Sequence, residues 1–464
     1  MSIRTLSPLD GRYQDHLNGM TDYFSEWALI KYRVHVEIEW LITLAQQPEI
    51  EHVRLFSSRE IDYLRSVVNN FGDEEAKQVK VFEQETRHDV KAVEYFVRES
   101  IANTTLADII EAVHFCCTSE DINNLAYGLM LRDGINNEWL PKSKELITSA
   151  TNLAQKTQNI PMLSHTHGQS ATPTTLGKEV AVFVARWQRQ IQQITRSDYL
   201  GKFNGAVGNY NAHLVVYPDV NWESLARYFV EDHLGLTFNP LTTQIEPHDY
   251  MAELFYRISC FNSILLDFDK DMWSYISFGY FHQKVIEGEV GSSVMPHKVN
   301  PIDFENSEAN VGISNALLGH LAGKLQVSRQ QRDLSDSSAL RNMGVAIGHS
   351  LLAIKSALQG LNRVEVDPKV MMNDLDGSWE VLAEAVQMVL RKAGHGDSYD
   401  LLKSHTRGKV ITQEIMKNLI NSLDLPTSDK QRLLSMSPSS YVGLAPKLVR
   451  HIARINTDKE DRTL

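Results

Sequence analysis

The sequence is poor in cysteine. Its three residues of this type, Cys116, Cys117 and Cys260, provide no disulfide framework and no C-x-x-C metal pair, which points to a cytoplasmic protein. Positive charge is also scarce. The formal net charge is −12 and the isoelectric point about 5.8. This removes the electrostatic case for general binding to nucleic acid or a membrane, and an anionic substrate would need a local basic cluster. No apolar run approaches a membrane span, and the opening residues MSIRTLSPLD carry no apolar signal core. With 42% hydrophobic and 22% charged residues over 464 positions, the chain fits a soluble globular protein with a large core.

Glycine and proline are missing from two long stretches, 178–200 and 248–278. In the first, Val180, Val184, Trp187, Ile191 and Ile194 recur at helical spacing. In the second, Leu254, Ile258, Phe261, Leu265, Phe268 and Met272 do the same. A third helix is expected after Thr118-Ser-Glu-Asp, through Leu125, Leu129 and Leu131. Gly128 and Gly134 weaken it, and Pro141 should kink or break it. Residues 310–325 and 335–360 complete a set of about five long helices, with shorter ones over 26–46 and 90–99. No run of alternating strand residues stands out. The expected fold is all-α, with a central antiparallel bundle whose excess apolar surface favours oligomerisation. The expected domains are 1–115, 116–365 and 366–464, the last punctuated by Asp376-Gly-Ser-Trp, Pro426, Pro438 and Pro446.

One segment is unlike a helix or a plain linker: Gly288-Glu-Val-Gly-Ser-Ser-Val-Met-Pro-His-Lys-Val-Asn-Pro301. Two glycines and two prolines exclude a helix interior, while Ser292, Ser293, His297, Lys298 and Asn300 crowd donors together. Such a loop can close over an anion, and Pro301 can start the next helix. The string resembles the G-S-S-x-M-P-x-K-x-N signature of the fumarase/aspartase superfamily. That resemblance implies a lyase that eliminates fumarate from a succinyl compound. It also implies three helical domains and a homotetramer in which each active site draws on three subunits.

A second segment, Ser164-His-Thr-His-Gly-Gln-Ser-Ala-Thr-Pro-Thr-Thr-Leu-Gly-Lys178, places two histidines before a glycine and a run of hydroxyls. Histidine exchanges protons near neutral pH. A metal reading lacks a carboxylate or cysteine to complete the ligand set. The segment resembles the superfamily's T-x-H-G-Q-x-A-x-P-x-T-x-G-K motif, which selects His167 and assigns His165 no role.

Further segments resemble the adenylosuccinate lyase family within that superfamily. Glu85-Thr-Arg-His-Asp-Val-Lys-Ala92 matches T-x-H-D-V-x-A and contains Arg87, His88 and Asp89; a His-Asp pair alone is more often a helix cap, and Asp can supply it. Thr118 and Ser119 precede Glu120 and Asp121, where a hydroxyl can cap a helix, grip a carboxylate, or do both. Lys202-Phe-Asn-Gly-Ala-Val-Gly-Asn-Tyr-Asn-Ala-His213 is a polar turn. Thr242-Thr-Gln-Ile-Glu-Pro-His-Asp249 offers Gln244 as donor and acceptor. Ser328-Arg-Gln-Gln-Arg-Asp-Leu-Ser-Asp-Ser-Ser-Ala-Leu-Arg-Asn342 gathers three arginines in an acidic protein, a plausible phosphate site. The resemblance picks out Arg332, Ser337 and Arg341 there, and Arg12 and Tyr13 near the N-terminus as nucleotide contacts.

Taken over nearly the whole chain, the resemblance implies cleavage of adenylosuccinate to AMP and fumarate, and of the succinyl-carboxamide intermediate SAICAR to AICAR and fumarate. It makes Ser292 the base and His167 the acid, although residue type alone would allow His167 either role. Ser293, Lys298, Val299, Asn300 and Asn306 are implied substrate contacts. No metal and no organic cofactor are expected. Argininosuccinate lyase, fumarase and a non-catalytic scaffold of the same fold are the alternatives. The arginine cluster and the T-x-H-D-V motif weigh against the first two, the retained polar residues against the third. The 285–300 loop is expected to close over substrate, with Gly288 and Gly291 as hinges.

Overall fold

The structure, a computed structural model, describes residues 4–284, 295, 299–396, 398, 402 and 411–454. Ser292, Ser293, Lys298 and the expected loop hinges lie outside the described residues. The chain forms two compact units. One comprises Met1–Ser143, Gln190–Ser263 and Ala309–Lys355, the other Lys144–Arg189, Ile264–Glu308 and Ser356–Leu464.

The first unit begins with α1 (Gln14–Phe24), α2 (Glu26–Ala45), α3 (Ser58–Asn69), α4 (Asp73–Thr86), α5 (Asp89–Ala102) and α6 (Ser119–Gly134). Local signals explain the starts. Ser25 accepts from the Ala28 N–H, and Ser57 and Glu60 form a reciprocal capping box at α3. Trp40, Phe203 and Phe229 centre the core, with ring centroids 4.1 to 5.1 Å apart.

The long helices are α7 (Leu140–Lys156), α8 (Leu176–Ile194), α11 (Asp249–Ser277), α12 (Ile302–Leu325) and α14 (Met343–Arg363); α9 (Asn211–Val216), α10 (Trp222–Tyr228) and α13 (Ser335–Leu340) are short. Each long helix contributes residues to both units. Pro141 does not end the helical path. A wide π-turn over Ile135–Trp139 lies just before it, which accommodates the missing N–H. Gly134 serves packing, because an added Cβ would lie 2.3 Å from the Phe24 ring. The expected single helix over 335–360 is instead broken at Arg341-Asn342.

Strands are the main departure from expectation. Among the described residues, β1 (Pro161–Thr166) pairs antiparallel with β2 (Gln169–Thr175), and β3 (Leu200–Gly201) pairs parallel with β4 (Thr237–Phe238). A third pair is β5 (Phe281–Gln283) with β6 (Val364–Val366), antiparallel. The hydroxyl run after His167 is therefore a strand. Pro173 is tolerated because a two-stranded ribbon leaves one edge of each strand unpaired.

In the second unit, Phe268 packs edge-on against Trp187 and Phe183. Helix α15 (Pro368–Asp376) packs Leu375 with Leu163 and Val381, and α16 (Ala383–Lys392) with Gln413–Ser422 carries a core around Leu382, Val386, Met416 and Leu419. Asp269 of α11 is buried, and neither carboxylate oxygen makes a hydrogen bond of good geometry. Burial pushes its pKa well above the usual carboxylate range, a push that Ser307 only partly offsets. The protonated form is thus the folded one, and its stabilising contribution is full below about pH 4 and falls as pH rises. The Asp269→Asn variant is expected to gain stability over wild type as pH increases from 4 to 8, by at most about 1.4 kcal/mol per pH unit. Denaturant unfolding at both pH values tests this; an equal difference at both would rule out the protonation account.

Candidate active site

The candidate residues of the first unit converge through a line of ion pairs and hydrogen bonds. At the start of α5, His88 is the N-cap: its Nδ1 accepts from the Lys91 N–H at 3.1 Å, so any single ring proton sits on Nε2. Capping thus falls to His88 rather than to Asp89, whose carboxylate turns to arginine. Asp89 Oδ2 accepts from Arg33 at 2.7 Å and from Arg341 at 3.0 Å. Burial pushes the Asp89 pKa up, but the Arg33 charge and hydrogen bond, the Val90 N–H and the Arg341 charge outweigh it and hold it low. Arg341 also meets Glu26 at 2.5 Å.

Thr118 is the N-cap residue of α6, and its N–H donates to Asp121 at 2.8 Å. Asp121 is fully buried. It pairs with the equally buried Lys202 at 2.9 Å and accepts from the N–H groups of Asn204 and Gly205. Asn124 clamps the Lys202 backbone from both sides, at 2.8 and 3.0 Å. The 202–213 turn is thereby tied, through Asp121, to the Thr118 backbone N–H. His213, at the end of this turn, is buried with both ring nitrogens unmatched. Its pKa is pushed down to about 4, mainly by burial, so it is neutral at pH 7.

Gln244 uses both ends of its amide. Its Nε2 donates to the Ala206 carbonyl at 3.0 Å and its Oε1 accepts from Arg332 at 3.3 Å. Arg332 in turn pairs with buried Glu120 at 2.9 Å. Asp336 Oδ1 takes the Ser337 N–H at 2.6 Å. His248 is buried beside Glu246. Burial favours its neutral form, but Glu246 outweighs this, helped by Glu120 and Asp336, and raises its pKa. Four buried polar atoms in this region, Arg332 Nε, Asp336 Oδ2, Asn204 Oδ1 and His248 Nε2, have no hydrogen-bond partner. Unmatched polar atoms in native cores are few, and these mark where a polar ligand or water would be satisfied.

Arg12 lies over the Tyr13 ring at 5.8 Å, and Tyr13 is the N-cap residue of α1. Arg87 is exposed and ends α4 in the left-handed conformation.

In the second unit, His167 and Gly168 form the two-residue turn between β1 and β2, with Thr166 paired to Gln169. Both have positive φ, 54° and 72°, the type I′ geometry that matches strand twist. The histidine is presented at the exposed tip. His165, two residues back, rests its ring on Phe278 at 5.2 Å. Val299 and Asn300 precede α12, and Asn306 lies on it, partly buried.

The backbone marks the same segments. Among the described residues the non-glycine positions with left-handed φ are Arg87, His114, Cys116, His167, Tyr210, His248 and Gln330. Of these, Arg87, His167, Tyr210, His248 and Gln330 fall in segments singled out from sequence for their chemistry. Each such residue costs about 1–3 kcal/mol, and strain of this kind gathers at functional sites. Arg33, Glu120, Asn123 and Lys202 form a buried layer behind these candidates, and the motif reading assigned none of them a role.

Among the described residues no group of three or more His, Cys, Asp or Glu is placed to hold a metal ion, and no helix is long and apolar enough to cross a membrane.

The fold is helical, and its family likeness makes the protein a lyase. Residues 11–315 match the Lyase family model and residues 328–442 the Adenylosuccinate lyase C-terminal model. The chain belongs to the adenylosuccinate lyase family. It is 50% identical over 449 residues to adenylosuccinate lyase of Escherichia coli strain K12, covering 97% of this chain and 98% of that relative. The Haemophilus influenzae adenylosuccinate lyase is 48% identical, with 97% and 99% covered. Two solved structures share the fold: 3-carboxy-cis,cis-muconate lactonizing enzyme from Pseudomonas putida and a fumarate lyase from Mesorhizobium sp. BNC1. The first has a TM-score of 0.76 at 20% identity, covering 95% and 97% of the two chains. The second has 0.75 at 18%, covering 94% and 97%.

Proposed function

We propose that this chain eliminates fumarate from adenylosuccinate, leaving AMP, and from SAICAR, leaving AICAR. The observation that carries the reading is the convergence of separate motifs on two arginines, Arg332 with Gln244 and Arg341 with Asp89. Near-50% identity to adenylosuccinate lyases along the chain supports it. In the proposed reaction Ser292 removes a proton from the carbon beside a substrate carboxylate. Lys298, Asn300 and loop N–H groups hold the charge that builds there. The C–N bond breaks, the electron pair leaves with nitrogen, and His167 protonates that nitrogen. A carbon–carbon double bond remains in the fumarate. Arg332, Ser337 and Arg341 take the phosphate, and Arg12, Tyr13, Arg87, His88, Thr118 and Ser119 complete the contacts. The working form is a cytoplasmic homotetramer with sites shared between subunits.

Fumarate release from adenylosuccinate, SAICAR and argininosuccinate, with Ser292→Ala beside wild type, tests this. Release from the first two alone is expected, reduced in the variant by about two to four orders of magnitude. Release from argininosuccinate alone would move the chain to a sister activity and void the phosphate assignment.

A further inference from the structure

Arg33 of α2 is buried, with 1% of its side chain exposed, and no motif of the family reading includes it. Its guanidinium forks between two elements. Nη2 donates to Asp89 Oδ2 at 2.7 Å and Nε donates to Asn123 Oδ1 at 2.8 Å. From Asn123 the line continues to Glu120 Oε1 at 2.7 Å and on to Arg332 at 2.9 Å. From Asp89 it runs to Arg341 at 3.0 Å. Arg33 therefore joins the two arginines that the functional reading gives to the phosphate.

We propose that Arg33 is a positioning residue for phosphate recognition, holding Asp89 neutralised so that Arg341 can leave it for the substrate. Asp89 is shared by two cations in the free protein. When Arg341 turns to an incoming phosphate, a half-buried carboxylate without a second partner would resist losing it. Arg33 is that second partner, always charged and fixed by its Asn123 arm. The inference rests on the assignment of Arg341 to the phosphate.

The test compares Arg33→Met, which removes the charge at similar volume, with Arg33→Lys, which keeps it. The readouts are KM and kcat for adenylosuccinate, and calorimetric binding of AMP and of fumarate. For Arg33→Met, KM and the AMP dissociation constant are expected to rise about tenfold or more, with kcat changed less than about threefold and fumarate binding unmoved. Arg33→Lys is expected to recover most of the AMP affinity. A general packing defect would instead weaken both ligands and would not be rescued by lysine; that result overturns the proposal, as does unchanged AMP affinity in Arg33→Met. Wild type that binds AMP but releases no fumarate refutes the functional reading alone, since the AMP comparison still decides the role of Arg33. Wild type that binds no AMP overturns both.

Discussion

His167→Gln is expected to lower kcat on adenylosuccinate by about two to four orders of magnitude, the usual range for a lost general acid or base, with KM within about threefold. Glutamine keeps similar bulk and hydrogen-bonding capacity but does not exchange a proton near neutral pH. The backbone argues that the variant will fold. The hairpin register is set by main-chain pairing from Thr166–Gln169 to Pro161–Thr175, and the imidazole is exposed beyond it. Circular dichroism and melting temperature should therefore match wild type. A folded variant retaining turnover within tenfold would place the acid elsewhere.

The second large effect concerns stability. Lys202→Met is expected to cost about 3–5 kcal/mol, because it strands a fully buried carboxylate without its counter-charge. Asp121 would keep its backbone donors from Thr118, Asn204 and Gly205, but hydrogen bonds to neutral amides do not replace a cation in a low-dielectric interior. Adding Asp121→Asn to Lys202→Met should recover a large part of the loss, since the damage comes from the unpaired charge. Chemical denaturation of the single and double variants measures this. A double variant as unstable as the single one would show that Lys202 acts by packing alone. Because the pair also ties the 202–213 turn to Thr118, the single variant should lose activity beyond its loss of folded protein.

Much of the helical frame was legible because long apolar periodicities without glycine or proline leave few alternatives. The stretches 178–200 and 248–278 became Leu176–Ile194 and Asp249–Ser277. The hairpin at His167 was not legible: its strands carry hydroxyls instead of alternating apolar residues, and its turn uses histidine where asparagine is usual. Motifs named the candidate ligand contacts, and the structure joins Asp89 and Arg341, and Gln244 and Arg332, directly. What motifs could not reveal is the buried layer behind them. Arg33, Glu120 and Asn123 look like ordinary polar positions within helices. A usable signal did exist in α6, where Glu120, Asp121, Asn123 and Asn124 flank Ile122 on both sides, and all are buried. Charge placed all around a helix that is also covered implies a polar network within the core.

The left-handed residues have a consequence for engineering. Most of their strain sits in turns of the candidate site, while the long helices hold regular geometry and apolar packing. Attempts to raise heat tolerance by consensus or propensity changes should therefore find their gains along exposed helix faces. Relieving a turn with glycine at His167 or Arg87 would ease the backbone and remove the side chain that the proposed function assigns there. Outside the buried Asp121–Lys202 pair, heat tolerance can thus be sought on the exposed helix faces with the candidate turns left unaltered.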